Sequence, residues 1–190
     1  MKSWYDIYVE RASDSYRNYV REQYKPFLDI LKNCCDKTTT SVELGCGAAT
    51  ISRILMEDAE YKNIICIDED WDMSSLAWRM VGYVDNVLVT RRDITSARLS
   101  SYIPSSGKVV FHSHGVLEHL SDEGIRNVTD QLKQHGVPQI HYVPSDKWIT
   151  PSRGDERLMT PADWNDICHP DNIVEFNDGK DLILLFNINE

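Results

Sequence analysis

The run Val42-Glu43-Leu44-Gly45-Cys46-Gly47-Ala48-Ala49-Thr50 joins the end of a short apolar segment to the start of a helical pattern. Glycines at such a junction allow a tight turn and let a ligand approach bare backbone. The helix start that follows offers free N–H groups to an anionic moiety. A purely structural turn uses the same residues, so the acids downstream decide what the loop is for. Asp68 ends the next apolar run, about 20 residues on, where a carboxylate can accept both hydroxyls of a ribose. Asp93 follows the third run with Ile94 beside it, so the pair can accept from an adenine amino group and cover the ring. Glu43 places a negative charge where a cationic group of a ligand could sit. His114, just past the fourth apolar run, is the residue best placed for general-base work; a histidine bonded to loop backbone is the alternative there.

These residues meet only if strands alternate with helices. Apolar runs at 41–44, 63–67, 86–90, 108–112 and 139–143 read as strands, and the patterns following the first, second and fourth read as helices. Ser121 caps one helix, with Asp122 and Glu123 in its first turn, and Gly136 with Pro138 ends it. Thr160-Pro161-Ala162-Asp163 begins another. Residues 95–107 are serine-rich and leave room for a stub of helix. Residues 172–176, Asn177-Asp178-Gly179 and residues 182–188 read as a closing hairpin, so the last strand runs antiparallel. The expected fold is α/β: a Rossmann-like, doubly wound, mostly parallel seven-stranded sheet with a C-terminal antiparallel hairpin, in three α/β/α layers.

Ahead of this core, Trp4, Tyr8, Tyr16, Val20, Tyr24, Leu28 and Leu31 recur at helical spacing, and Pro26 divides the segment into two helices. The expectation is a single domain over 1–190, with 1–36 as a helical segment or lid and 37–190 as the ligand-binding core. Tyr16 and Tyr19 are substrate-side candidates, against plain packing of an aromatic stripe. The stretch 145–159, with Lys147, Trp148, Arg153 and Arg157, is the other expected wall, and His141 a further substrate contact.

The chain has 190 residues, 42% hydrophobic and 26% charged, enough for one real core. Its net charge of −10 disfavours a phosphate backbone as partner. Five cysteines in no zinc-type spacing read as reduced thiols, and no metal site is expected. With no apolar run of spanning length and no secretory h-region, a cytoplasmic protein without membrane attachment, monomeric or homodimeric, is expected.

In their order these motifs resemble class I S-adenosylmethionine-dependent methyltransferases. Glu43, Gly45 and Gly47 match the family's Glu-x-Gly-x-Gly signature, Asp68 its acidic end of strand two, and Asp93-Ile94 its Asp-hydrophobic pair. Ser113-His114-Gly115-Val116-Leu117-Glu118-His119-Leu120 is similar to the stretch after strand four in small-molecule members, with Glu118 and His119 fixing the loop. Residues 154–161 look like their approach to the next-to-last helix. Departures are alanine at 48 or 49 in place of a third glycine, which suits a negative φ, and Glu69 where an apolar residue often faces adenine, a part left to Trp71.

The resemblance implies S-adenosylmethionine as cofactor, with S-adenosylhomocysteine as product. Gly45, Cys46 and Gly47 would contact its methionine part, and backbone at His112 and Ser113 would line the sulfonium end. The implied activity is in-line methyl transfer to a small molecule, in which alignment and exclusion of water do most of the work. Two other readings stay open: a catalytically degenerate binding or regulatory protein on the same fold, and a NAD-dependent oxidoreductase, for which Thr50 stands where the third glycine belongs.

Overall fold

Alternation along the strands sorts apolar side chains onto two faces of one sheet. The computed structural model describes residues 4–34, 36–61, 63–150 and 155–188. Strands β1 (Thr40–Leu44), β2 (Asn63–Asp68), β3 (Val87–Arg91), β4 (Val109–His114) and β5 (Gln139–Pro144) are parallel, in the order β3-β2-β1-β4-β5. β7 (Asp181–Phe186) adds antiparallel to β5, and β6 (Asn172–Phe176) antiparallel to β7 at the edge. The seven strands and the closing hairpin are those expected. The hairpin turn, Asn177–Gly179, holds positive φ at each residue, which Asn, Asp and Gly tolerate best.

One face carries Ile64, Cys66, Val110, Ile140, Tyr142 and Ile183. It is covered by α3 (Lys25–Asn33), α4 (Thr50–Ala59) and α5 (Trp71–Val81). The other carries Val42, Leu44, Phe111, Val143 and Leu184 under α6 (Asp122–Lys133) and α7 (Pro161–Cys168). Residues 95–107 hold one short 3-10 turn, Leu99–Tyr102, whose Leu99 completes the second core. Ser121 accepts from the Gly124 N–H at the start of α6, and Thr160 and Asp163 form a reciprocal capping box on α7. Because the order reverses between β1 and β4, the strand ends there leave a crevice at their carboxyl side.

The N-terminal segment forms three helices, not two: α1 (Trp4–Arg11), α2 (Asp14–Gln23) and α3. Ser13 makes the extra break by accepting from the Tyr16 N–H as an N-cap, and Pro26 sits in the first turn of α3 rather than in a kink. Cys34, Cys46, Cys66 and Cys168 are free thiols. Among the described residues no helix is long and apolar enough to cross a membrane.

Phe27, Leu28 and Leu31 bury the inner face of α3. Phe27→Ala is expected to cost about 3–5 kcal/mol, read as a lower midpoint in urea denaturation. An unchanged midpoint would mean that α3 is not part of the core.

Candidate active site

After Leu44 the chain must leave the sheet and enter α4 through residues 45–49. It does so with left-handed backbone at Gly45 (φ 63°), Gly47 (φ 52°) and Ala49 (φ 54°). A Cβ on Gly45 would stand 2.6 Å from Val116 Cγ2, and one on Gly47 3.0 Å from Tyr8 Cε1, so a side chain at either position would press on its neighbour as well as strain the backbone. Ala49 corrects the expectation of a negative φ at the missing glycine. Left-handed backbone costs an alanine roughly 1–2 kcal/mol. Its buried methyl returns about 0.8 kcal/mol, and its stiffer unfolded chain about 0.4–1 kcal/mol, so the alanine stands there at little net cost.

Asp68 fastens this loop. Its Oδ2 accepts the Gly47 N–H at 2.8 Å and its Oδ1 the Asp70 N–H at 2.9 Å. Burial raises the Asp68 carboxyl above its ordinary range, and the two N–H groups oppose that. Asp70 caps α5 through the N–H groups of Asp72 and Met73. At the next strand end Asp93 Oδ1 accepts the amide and hydroxyl of Thr95, which hold its carboxyl below the usual range. Arg91 Nε donates to the Glu69 carbonyl at 2.8 Å, joining the loops after β2 and β3.

These strand ends enclose one cleft of about 760 Å³. Gly45, Gly47, Asp68, Glu69, Trp71, Asp93 and Ile94 line it, as do Tyr8, Arg91, Arg92, Gly115, Val116, His119 and Asp155, which the sequence reading did not single out as lining. A second cavity, about 40 Å³, shares Tyr8 and Gly45 with the cleft and adds Tyr16, Glu43, Cys46 and His114. There His114 stacks on Tyr142, ring centroids 4.5 Å apart, with Tyr24 edge-on at 4.3 Å. Tyr19 is half exposed and stacks on Tyr16, outside both cavities.

The side chains of several other expected site residues are bonded within the fold. Glu43 lines the small cavity and not the cleft, and its Oε2 accepts both the N–H and the hydroxyl of Ser52 in α4. His112 and Ser113 are fully buried on opposite faces of β4. His112 Nε2 bonds Ser41 at 2.8 Å and Ser113 bonds His141 Nδ1 at 2.8 Å, so neither side chain reaches a cavity. His141 is core for the same reason, and burial holds both histidines neutral, down to about 3. Trp148 lies over the hairpin end of the sheet, its Nε1 bonded to Asp181 at 3.1 Å, because Ser145 Oγ donates to the Gly179 carbonyl and draws the loop that way. Arg153 lies outside the described residues. Tyr8 stood in the sequence only as one member of the aromatic stripe of the N-terminal segment, and Gly115, a glycine just after a strand, was the kind of residue that could have been found there.

No protein-family model matches the sequence, and no curated protein does. Solved structures match it in shape. The methyltransferase domain of bacterial CtHen1 aligns with TM-score 0.67 at 13% identity, over 88% of this chain and 98% of that one. DhpI in its SAH complex gives 0.62 at 16%, over 96% and 93%. An O-methyltransferase family protein from Burkholderia thailandensis gives 0.61 at 14%, and the match covers 90% of this chain but only 58% of that protein. The chain has the class I S-adenosylmethionine-dependent methyltransferase fold. In this methyltransferase fold the cleft occupies the crevice where the strand order reverses.

Glu43 generates a pH prediction. Burial raises its carboxyl to about 7, above the value it regains on unfolding. The folded chain therefore holds a proton there at pH 5, and the stabilisation this gives is lost as pH rises through 7. Glu43→Gln removes the titration, so the melting temperature of the variant minus that of the parent chain is expected to be higher at pH 8 than at pH 5, by roughly 2–8 °C. Equal differences at the two pH values would refute a buried titration at Glu43.

Proposed function

We propose that this chain binds S-adenosylmethionine in the 760 Å³ cleft and transfers its methyl group to a small-molecule acceptor. The observation that carries this reading is the convergence of Asp68, Asp93, Ile94 and the bare backbone at Gly45 and Gly47 on one cavity. The volume suits a ligand of nucleoside size. The two glycine positions form a cradle that a Cβ would fill.

Asp68 would hold the ribose hydroxyls, since each carboxylate oxygen keeps acceptor capacity beyond its one backbone N–H. Asp93 and Ile94 would take the adenine, and the half-exposed Trp71 would cover it. The acidic cleft suits a cationic ligand. The cofactor supplies an activated methyl on a sulfonium; the rest is the work of this chain's residues. Tyr8 of α1 stands against Gly47 and closes the wall between cleft and small cavity, which supports the lid reading of the N-terminal segment. In that small cavity His114 would accept the acceptor's proton, its ring plane fixed by Tyr142 and Tyr24. Alignment of this kind can supply roughly 7–11 kcal/mol of a displacement barrier. The names of similar structures, an O-methyltransferase family protein and a mitomycin 7-O-methyltransferase among them, favour a small molecule methylated at oxygen.

Calorimetry with S-adenosylhomocysteine tests the reading. One equivalent is expected to bind, and Asp68→Ala is expected to weaken it at least tenfold with the fold retained by circular dichroism. An absence of heat with the parent chain would sink the proposal. His114→Ala is expected to keep the binding heat and lose turnover; unchanged turnover would remove His114 from the chemistry.

A further inference from the structure

The 3-10 turn after β4, Leu117–His119, buries the carboxyl group of Glu118. Glu118 is 2% exposed, and among the described residues its Oε2 has no hydrogen-bond partner. Leaving a buried polar oxygen so costs roughly 1–3 kcal/mol. The approach to α7 is pinned beside it. The Arg157 N–H donates to the Glu118 carbonyl at 3.1 Å, and the Asp146 N–H to the Met159 carbonyl at 3.3 Å. This brings Glu156 alongside, so that one ligating atom each from Glu118, His119 and Glu156 lie within 4.8 Å of one another. Asp155 Oδ1 stands 3.2 Å from His119 Nδ1. The nearby cation Arg157 gives its Nη1 to Asp122 at 2.6 Å, while its Nε and Nη2 are buried without a partner among the described residues.

We propose that Glu118, His119 and Glu156 form a divalent-cation site on the wall of the cleft. A cation there answers the buried oxygen of Glu118 and accounts for two further carboxylates gathered around it. One imidazole with carboxylates and no thiolate selects a first-row divalent ion such as Mn²⁺ or Zn²⁺, rather than Ca²⁺, which takes oxygen shells, or Cu⁺, which takes sulfur. Asp155 either completes the ligand set or holds the imidazole in place. His119 and Asp155 also line the cleft, so positions the protein leaves open face it, within reach of an oxygen-bearing ligand. The site goes beyond the methyl-transfer reading and stands without it.

The test titrates Mn²⁺ into the full chain after chelator treatment, with no other ligand, following free Mn²⁺ by electron paramagnetic resonance and heat by calorimetry. One saturable equivalent is expected. Glu118→Gln, Glu156→Gln and His119→Ala are each expected to weaken it at least tenfold, with circular dichroism confirming the fold. Should Glu118→Gln fail to fold, the other two variants, at less buried positions, decide the matter. No saturable binding in the parent chain, or binding that the variants leave unchanged, overturns the proposal. Mn²⁺ binding without S-adenosylhomocysteine binding would instead count against the methyl-transfer reading and leave this site standing.

Discussion

The Gly47 N–H bond to the Asp68 carboxylate is the interaction on which the cleft depends. It spans two loops that leave neighbouring strands, and it is made at a residue whose backbone is already left-handed. The other oxygen of the same carboxylate takes the Asp70 N–H, and Asp70 in turn caps α5. One buried side chain therefore sets the starts of both α4 and α5 relative to the sheet. Trp71 and Met73, at the head of α5, inherit their places on the cleft wall from that chain of bonds. Because the carboxyl is largely buried, its two N–H partners are worth more than they would be in water, and their loss would release both loops at once.

The strands and the loops at their ends were legible because apolar runs bounded by Gly, Asp and Pro carry two signals at once, burial and termination. The caps at Ser121 and Thr160 were legible for a similar reason: their hydrogen bonds are local and close within three residues. What the sequence did not disclose depends on partners distant along the chain. The histidines of β4 and β5 look the same in sequence whether they face a helix or a ligand, and only the layers over the sheet decide. His114 reaches a cavity beside the rings of Tyr24, which precedes α3, and Phe27 of α3, while His112, two residues earlier on the same face, lies under full cover. Trp148 was drawn to the hairpin by Ser145 and Asp181, a contact across 33 residues. Tyr8 reaches the glycine loop because α1 docks on Met73 and Leu76 of α5, a packing that periodicity within α1 could not foretell.

The buried polar groups of the sheet have a role of their own in placing the site. Ser113 and His141 are register partners across β4 and β5, and their side chains bond directly. His141 Nε2 meets Gln139 Oε1, whose amide nitrogen donates to the Thr129 carbonyl of α6. The amide oxygen can only accept, so the proton sits on Nε2 and the Ser113 hydroxyl must donate to Nδ1. On the opposite face Ser41 and His112 join β1 to β4 in the same way. A slip of one residue between any of these strands would bury each partner unsatisfied and turn every apolar side chain to the wrong face. Apolar strands alone tolerate such slips more readily, since one aliphatic side chain resembles another. The register these bonds fix also pairs His114 with Tyr142, whose rings stack. Histidines buried in the sheet thereby determine where His114 must stand.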